Sequence, residues 1–182
     1  MGDAFDVTRL DAPNWALDDL ADHIVDRHHR YVQGAIPALR QALGVARDRW
    51  GATHAPLAAT EATFAELADE LESHMAKEEH ILFPAIRELA RARRRGQATS
   101  GAAFATLLHP IRAMEIEHTR ARLLLADLRR NTQAYVPPAA ADDNWRECYR
   151  QLARFDEDLE THIHLENDVL FPRTLELERQ AV

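Results

Sequence analysis

Several scarcities narrow the reading before any motif is considered. The chain has 182 residues and one cysteine, Cys148, which excludes an internal disulfide framework and leaves no thiolate cluster for structural zinc or an iron–sulfur centre. No run approaches the roughly 20 apolar residues needed to cross a bilayer. The opening, MGDAFDVTRL, carries neither an apolar segment nor a basic leader, so the expectation is a soluble, cytoplasmic chain with no membrane contact. Positive charge is also short: the net charge is −8, and the one basic cluster, Arg91 to Arg95, has no aromatic residues around it. No nucleic-acid partner is expected. The cluster is better explained as cations at the C-terminal end of a helix, where the macrodipole favours them.

Glycine is scarce as well, with six in the chain. Most of the rest is Ala, Leu, Glu and Arg with apolar residues three and four apart, the pattern of amphipathic helices. Four are expected: about Trp15 to Arg49, about Pro56 to Arg94, from near Pro110 to near Arg130, and Trp145 to about Glu178. Pro37 is a candidate kink in the first, Gly96 a stop after the second and Pro110 a first-turn residue of the third. Residues 97–109 are a candidate for a short extra helix. With 46% hydrophobic residues, the chain can bury one core without staples. The expected fold is all-α, an up-and-down four-helix bundle at residues 15–178, with an N-terminal extension at 1–14 and a tail at 179–182.

Histidine, by contrast, is plentiful, with ten in the chain. Each helix has an apolar stripe interrupted near its middle: by His29 in the first, His74 and Glu78 in the second, His118 in the third, and His162 and Glu166 in the fourth. The stripes face the bundle core. An internal repeat joins them. HMAKEEHILFP begins at His74 and HIHLENDVLFP at His162, 88 residues on, while His29 and His118 are 89 apart. The chain therefore reads as two related helical hairpins, whose pseudo-twofold packing would bring four histidines and two glutamates to one level.

Residues four apart lie one turn up on the same helix face, so His74 with Glu78 and His162 with Glu166 each aim an imidazole and a carboxylate at one point. Burying two unpaired carboxylates costs several kcal/mol each, and a pair of divalent cations offsets that cost. Imidazole with carboxylate suits iron, manganese or zinc rather than calcium or magnesium. His28 rivals His29 through a second stripe of Leu20, Ile24, His28 and Tyr31. Neighbours differ by 100° on a helix, and the longer stripe favours His29, leaving His28 on a half-exposed flank. His23, His80, His109 and His164 fall off the central level. Glu115 with His118 has the Glu-x-x-His spacing of ferritin-type sites, but no second copy accompanies it. Cys148 lies on the inward stripe and is expected to be core.

The segments ADHIVDRHHR, LESHMAKEEHILFP, MEIEH and HIHLENDVLFPR resemble the hemerythrin-like (HHE cation-binding) superfamily, most closely its branch of proteins for repair of iron centres. The resemblance runs from about Asp18 to Arg173. It implies two non-haem iron ions with glutamate bridges, histidine terminal ligands and room for an oxo, hydroxo or water bridge, carried over to His29, His74, Glu78, His118, His162 and Glu166. Two departures stand out. The family usually places another ligand histidine near the end of the first long helix, where this chain has Trp50, and His54, one turn later, is the nearest substitute. Repair proteins of the family also commonly carry a small N-terminal domain with a cysteine pair, which has no counterpart in this sequence.

The expected activity is handling of nitric oxide, peroxide or dioxygen at a di-iron site in nitrosative or oxidative stress or iron-centre repair. An iron–sulfur or other metalloprotein would then be the macromolecular partner. The alternative is a non-catalytic iron or oxygen carrier or sensor. Oligomeric state is not legible from the sequence.

Overall fold

A computed structural model describes residues 14–97 and 106–180. Nearly all of the expected N-terminal extension and most of the segment considered for an extra helix lie outside the described residues. Those described form four long helices and no strand. Helix α1 comprises Leu17–His23, a π-helical turn at Ile24–His29, and Arg30–Trp50. Helix α2 comprises Pro56–Lys77, a π turn at Glu78–Leu82, and Phe83–Arg94. Helix α3, Leu108–Asn131, is α-helical throughout. Helix α4 comprises Asp143–His164, a π turn at Leu165–Leu170, and Phe171–Arg179.

The helix ends follow from local chemistry. Pro56 opens α2 at a position where its missing N–H would have had no partner. Gly96 takes a positive φ of 65° beyond the end of α2, and the Gln97 N–H donates to the Ala92 carbonyl at 3.0 Å, closing the last turn. The Asp142 carboxylate caps α4 by accepting from the Trp145 N–H at 2.9 Å, so the helix begins at Asp143, two residues ahead of where the apolar stripe alone starts it. Pro37 lies inside an α-helical run that continues unbroken to Trp50. In the basic cluster, Arg94 is tied to Asp18 by two bonds of 2.8 and 2.5 Å, and the arginines are exposed, as expected for a solvated helix end.

Helix α1 packs against α2 and α4, and α2 packs against α3. Their apolar faces form two separate clusters. One contains Val32, Leu39, Phe64, Leu125, Leu152 and Phe155; the other contains Leu20, Ile24, Phe83, Ile111, Leu170 and Phe171. Between them lies a buried polar layer that includes His29, His74, Glu78, His118, His162 and Glu166. Cys148 is buried in the first cluster, where desolvation pushes its thiol up to about 12. That environment suits packing rather than nucleophilic chemistry.

Phe64 and Phe155 meet edge to face at 5.4 Å, both fully buried. Phe155→Ala should therefore cost about 3–5 kcal/mol, read by denaturant unfolding. A loss within 1 kcal/mol would contradict the core described here.

Candidate metal centre

The polar layer is built on bent register. In a π turn the backbone bonds run from residue i to i+5, so one extra residue enters the turn. Three of the four helices make such a turn at this level. In α1 the consequence corrects the expectation for His28: His28 and His29 are both 0% exposed, although in a regular helix adjacent residues cannot both turn inward. His29 faces the centre. His28 lies one layer out, with Nδ1 3.0 Å from Asp158 Oδ1 and its ring stacked on His162 at 6.0 Å.

All six residues singled out in the sequence converge. Two overlapping groups offer ligand atoms within 4.8 Å of one another: His74, His118, His162 and Glu166, and His29, Glu78, His162 and Glu166. The Nε2 atoms of His29 and His74 each lie 3.3 Å from Glu78 Oε2. His118 Nε2 is 3.0 Å from Glu166 Oε2, and His162 Nε2 is 2.9 Å from Glu166 Oε1. His74 and His118 bring their Nε2 atoms to 3.0 Å of each other. Neighbouring ligands each about 2.1 Å from a metal lie about 3 Å apart, which is the spacing these atoms keep.

The residues fit a metal on a second count. Both Glu78 oxygens, Glu166 Oε2 and His29 Nε2 are buried with no hydrogen-bond partner, a costly state for a protein interior that a bound cation would relieve. Without a cation, protons on the imidazoles balance the carboxylates. Burial disfavours a charged His74, but the nearby charges of Glu78 and Glu166, with the hydrogen bond to Glu117, outweigh it and push His74 up to about 9. His29 is raised against the same burial, chiefly by Glu78. Burial opposes ionisation of Glu78 and Glu166 too, yet the neighbouring histidines hold both below the usual carboxylate value.

A layer of partners, not recognised in the sequence, orients the imidazoles. The Nδ1 atom of His29 lies 2.9 Å from Glu79 Oε1, that of His74 2.9 Å from Glu117 Oε2, and that of His118 2.8 Å from Asn167 Oδ1. Each contact places the ring proton on Nδ1 and frees Nε2 toward the centre. Phe83 stacks on His29 at 5.7 Å and Phe171 on His118 at 6.0 Å, so the two Leu-Phe-Pro segments seal the layer. Between α2 and α3 a cleft of about 650 Å³, lined by Leu71, Lys77, Ile116, Glu117 and Arg120, reaches His74 and His118.

The Hemerythrin HHE cation binding domain matches residues 20–174. The chain belongs to this family. The iron-sulfur cluster repair protein YtfE of Salmonella schwarzengrund (strain CVM19633) is 39% identical over 160 residues, covering 87% of this chain. The protein of the same name from Salmonella paratyphi B is 38% identical over the same length. The chain spans 66% of the length of these relatives.

Trp50 and His54 stand apart from the centre, and neither belongs to the two ligand groups. Trp50 ends α1, 21 residues beyond His29, or about 30 Å along a helix. His54 packs edge-on against Trp145 at 4.9 Å, with Nδ1 2.9 Å from Thr53 Oγ1. Glu115 is exposed, and the carboxylate near the centre on α3 is Glu117. His80, His109 and His164 are exposed. Among the described residues, no helix is long and apolar enough to cross a membrane.

Two measurements follow. Trp50→Phe and His54→Ala should leave metal content unchanged by elemental analysis; a loss in either would return that end of α1 to the site. Metal uptake at neutral pH should expel the proton His74 otherwise retains up to about 9, so affinity should rise with pH through neutrality and level off above about 9. A pH indicator in weak buffer during anaerobic ferrous addition reads the release, and none would remove His74 from the ligands.

Proposed function

We propose that this chain holds two iron ions through His29, His74, Glu78, His118, His162 and Glu166, and that it acts on nitric oxide, peroxide or dioxygen in the repair of iron–sulfur centres. The observation that carries the reading is the overlap of the two ligand groups through Glu166 and His162. A carboxylate common to both positions is what a pair of metals at close range requires. Imidazole donors with carboxylates favour iron over hard cations, and the two Salmonella relatives carry cluster repair in their names.

Bound iron would supply electrons and an open coordination position. The protein's own part is to hold the ligands, exclude bulk water and admit a small molecule. Glu79, Glu117 and Asn167 fix the imidazoles, and Phe83 and Phe171 cover His29 and His118. The cleft between α2 and α3 is the route by which a small uncharged molecule reaches His74 and His118. Lys77, bonded to Glu117 at 2.5 Å, holds the carboxylate that braces His74 at that entrance. An iron–sulfur protein is the proposed macromolecular partner, and the cytoplasm the proposed location.

Elemental analysis should find about two irons per chain after anaerobic reconstitution. His74→Ala and Glu166→Ala should lose metal and lower the melting temperature of the loaded protein, because the metal's binding energy is folding energy. Equal metal content in variant and parent would refute the ligand set. The ferrous protein, mixed anaerobically with nitric oxide, peroxide or dioxygen, should change its absorption spectrum with at least one of them. Silence with all three would sink the reading. Many equivalents processed per site would mark an enzyme, and a single equivalent a carrier or sensor.

A further inference from the structure

A row of rings connects the surface with the candidate centre. Trp15, part-exposed ahead of α1, meets His23 edge-on with ring centres 4.9 Å apart. His23 meets His28 at 5.9 Å, and His28 stacks on His162 at 6.0 Å with 18° between the planes. His162 is one of the two residues shared by both candidate metal groups. The π turn creates the alignment, because bonding from i to i+5 brings His23 and His28, five apart, onto one face. Arg173 of α4 anchors the outer end by donating to the Trp15 carbonyl at 2.6 Å.

The row is not a by-product of the internal repeat. At the 89-residue offset that relates His29 to His118, the counterparts of His23 and His28 are Arg112 and Glu117, on a helix without a π turn. Glu117 gives His74 Nδ1 a carboxylate partner at 2.9 Å. His28 does not do the same for His162, whose Nδ1 is buried with no hydrogen-bond partner; it lays a ring face against it instead. Position 28 thus presents a ring to His162 where position 117 presents a carboxylate to His74, and it does so on the side of the bundle that leads to Trp15.

We propose that Trp15, His23, His28 and His162 form an electron path, with the Trp15 indole as its outer terminus and a one-electron donor to the iron centre. The proposal rests on the iron and peroxide reading given above. Indole is among the most easily oxidised side chains, and rings in contact shorten the through-space gaps an electron must cross. Hydrogen peroxide takes two electrons and two protons to become two waters. When only one ferrous ion can give an electron, the second comes from Trp15. One proton comes from the indole N–H and one from solvent, leaving a ferric ion and a neutral indolyl radical. A thiol in solution then returns a hydrogen atom to the indole, and two thiyl radicals couple to a disulfide. The gain is chemical: peroxide reduced by a single electron would release hydroxyl radical, whereas the paired electrons do not.

The test mixes iron-loaded protein anaerobically with hydrogen peroxide, followed by freeze-quench electron paramagnetic resonance and peptide mass spectrometry. A transient tryptophan radical is expected in the parent. It should be lost in Trp15→Phe and in His23→Leu, neither of which removes a proposed ligand, with iron content unchanged. Oxidised indole should concentrate in the Trp15 peptide over that of Trp50, which is also part-exposed but lies at the far end of α1. Peroxide consumed with ferrous iron oxidised but no Trp15 radical, or a radical insensitive to His23→Leu, overturns the path and leaves the iron reading standing. Failure to load iron or to consume peroxide overturns that reading, and the path with it.

Discussion

Two glutamates with no solvent exposure stand in the middle of this bundle, and the surrounding structure is organised around their charge. Among the described residues, neither Glu78 nor Glu166 has an arginine or lysine partner. Each instead faces imidazoles at 2.9 to 3.3 Å. A buried carboxylate is tolerable only when cations or protons lie close, and this layer offers both: imidazoles that hold protons, and donor atoms spaced for a metal. The two apolar clusters on either side confine the polarity to one slab, so the bundle keeps its packing above and below.

The repeat explains the doubling, and its breaks explain the direction. His29 with Glu79 and Phe83 is matched by His118 with Asn167 and Phe171. Yet Glu79 is an acid where Asn167 is an amide, and Glu117 braces His74 where His28 stacks on His162. The two halves therefore present different charge to otherwise similar imidazoles. One half opens through the cleft between α2 and α3, while the other is backed by a row of rings. Membership of the hemerythrin HHE family accounts for the shared slab; the asymmetry is read from this chain's own residues.

Much of this was legible before folding. Apolar spacing at three and four marks helices because a helix must bury one stripe, and proline and glycine mark where helices begin and stop. The six candidate ligands stood out because polar residues interrupt those stripes at matched positions in two copies, a coincidence that solvated residues have no reason to produce. The resemblance to the hemerythrin-like superfamily rested on the same residues.

What the tertiary structure alone decided is which neighbours matter. Glu79, Glu117, Asn167 and Asp158 have the sequence character of solvated polar residues, and only the approach of another helix makes each a partner of a buried ring. The π turns leave no mark in a reading that assumes 100° per residue, which is why His28 was expected on a half-exposed flank and is found buried. Trp50 and His54 invited a ligand role by family analogy, and the rise of α1 carries them to the opposite end of the bundle. Sequence specifies which side chains are costly to bury through periodicity along one helix; distances between helices, and the local register that sets them, exist only once the four are packed.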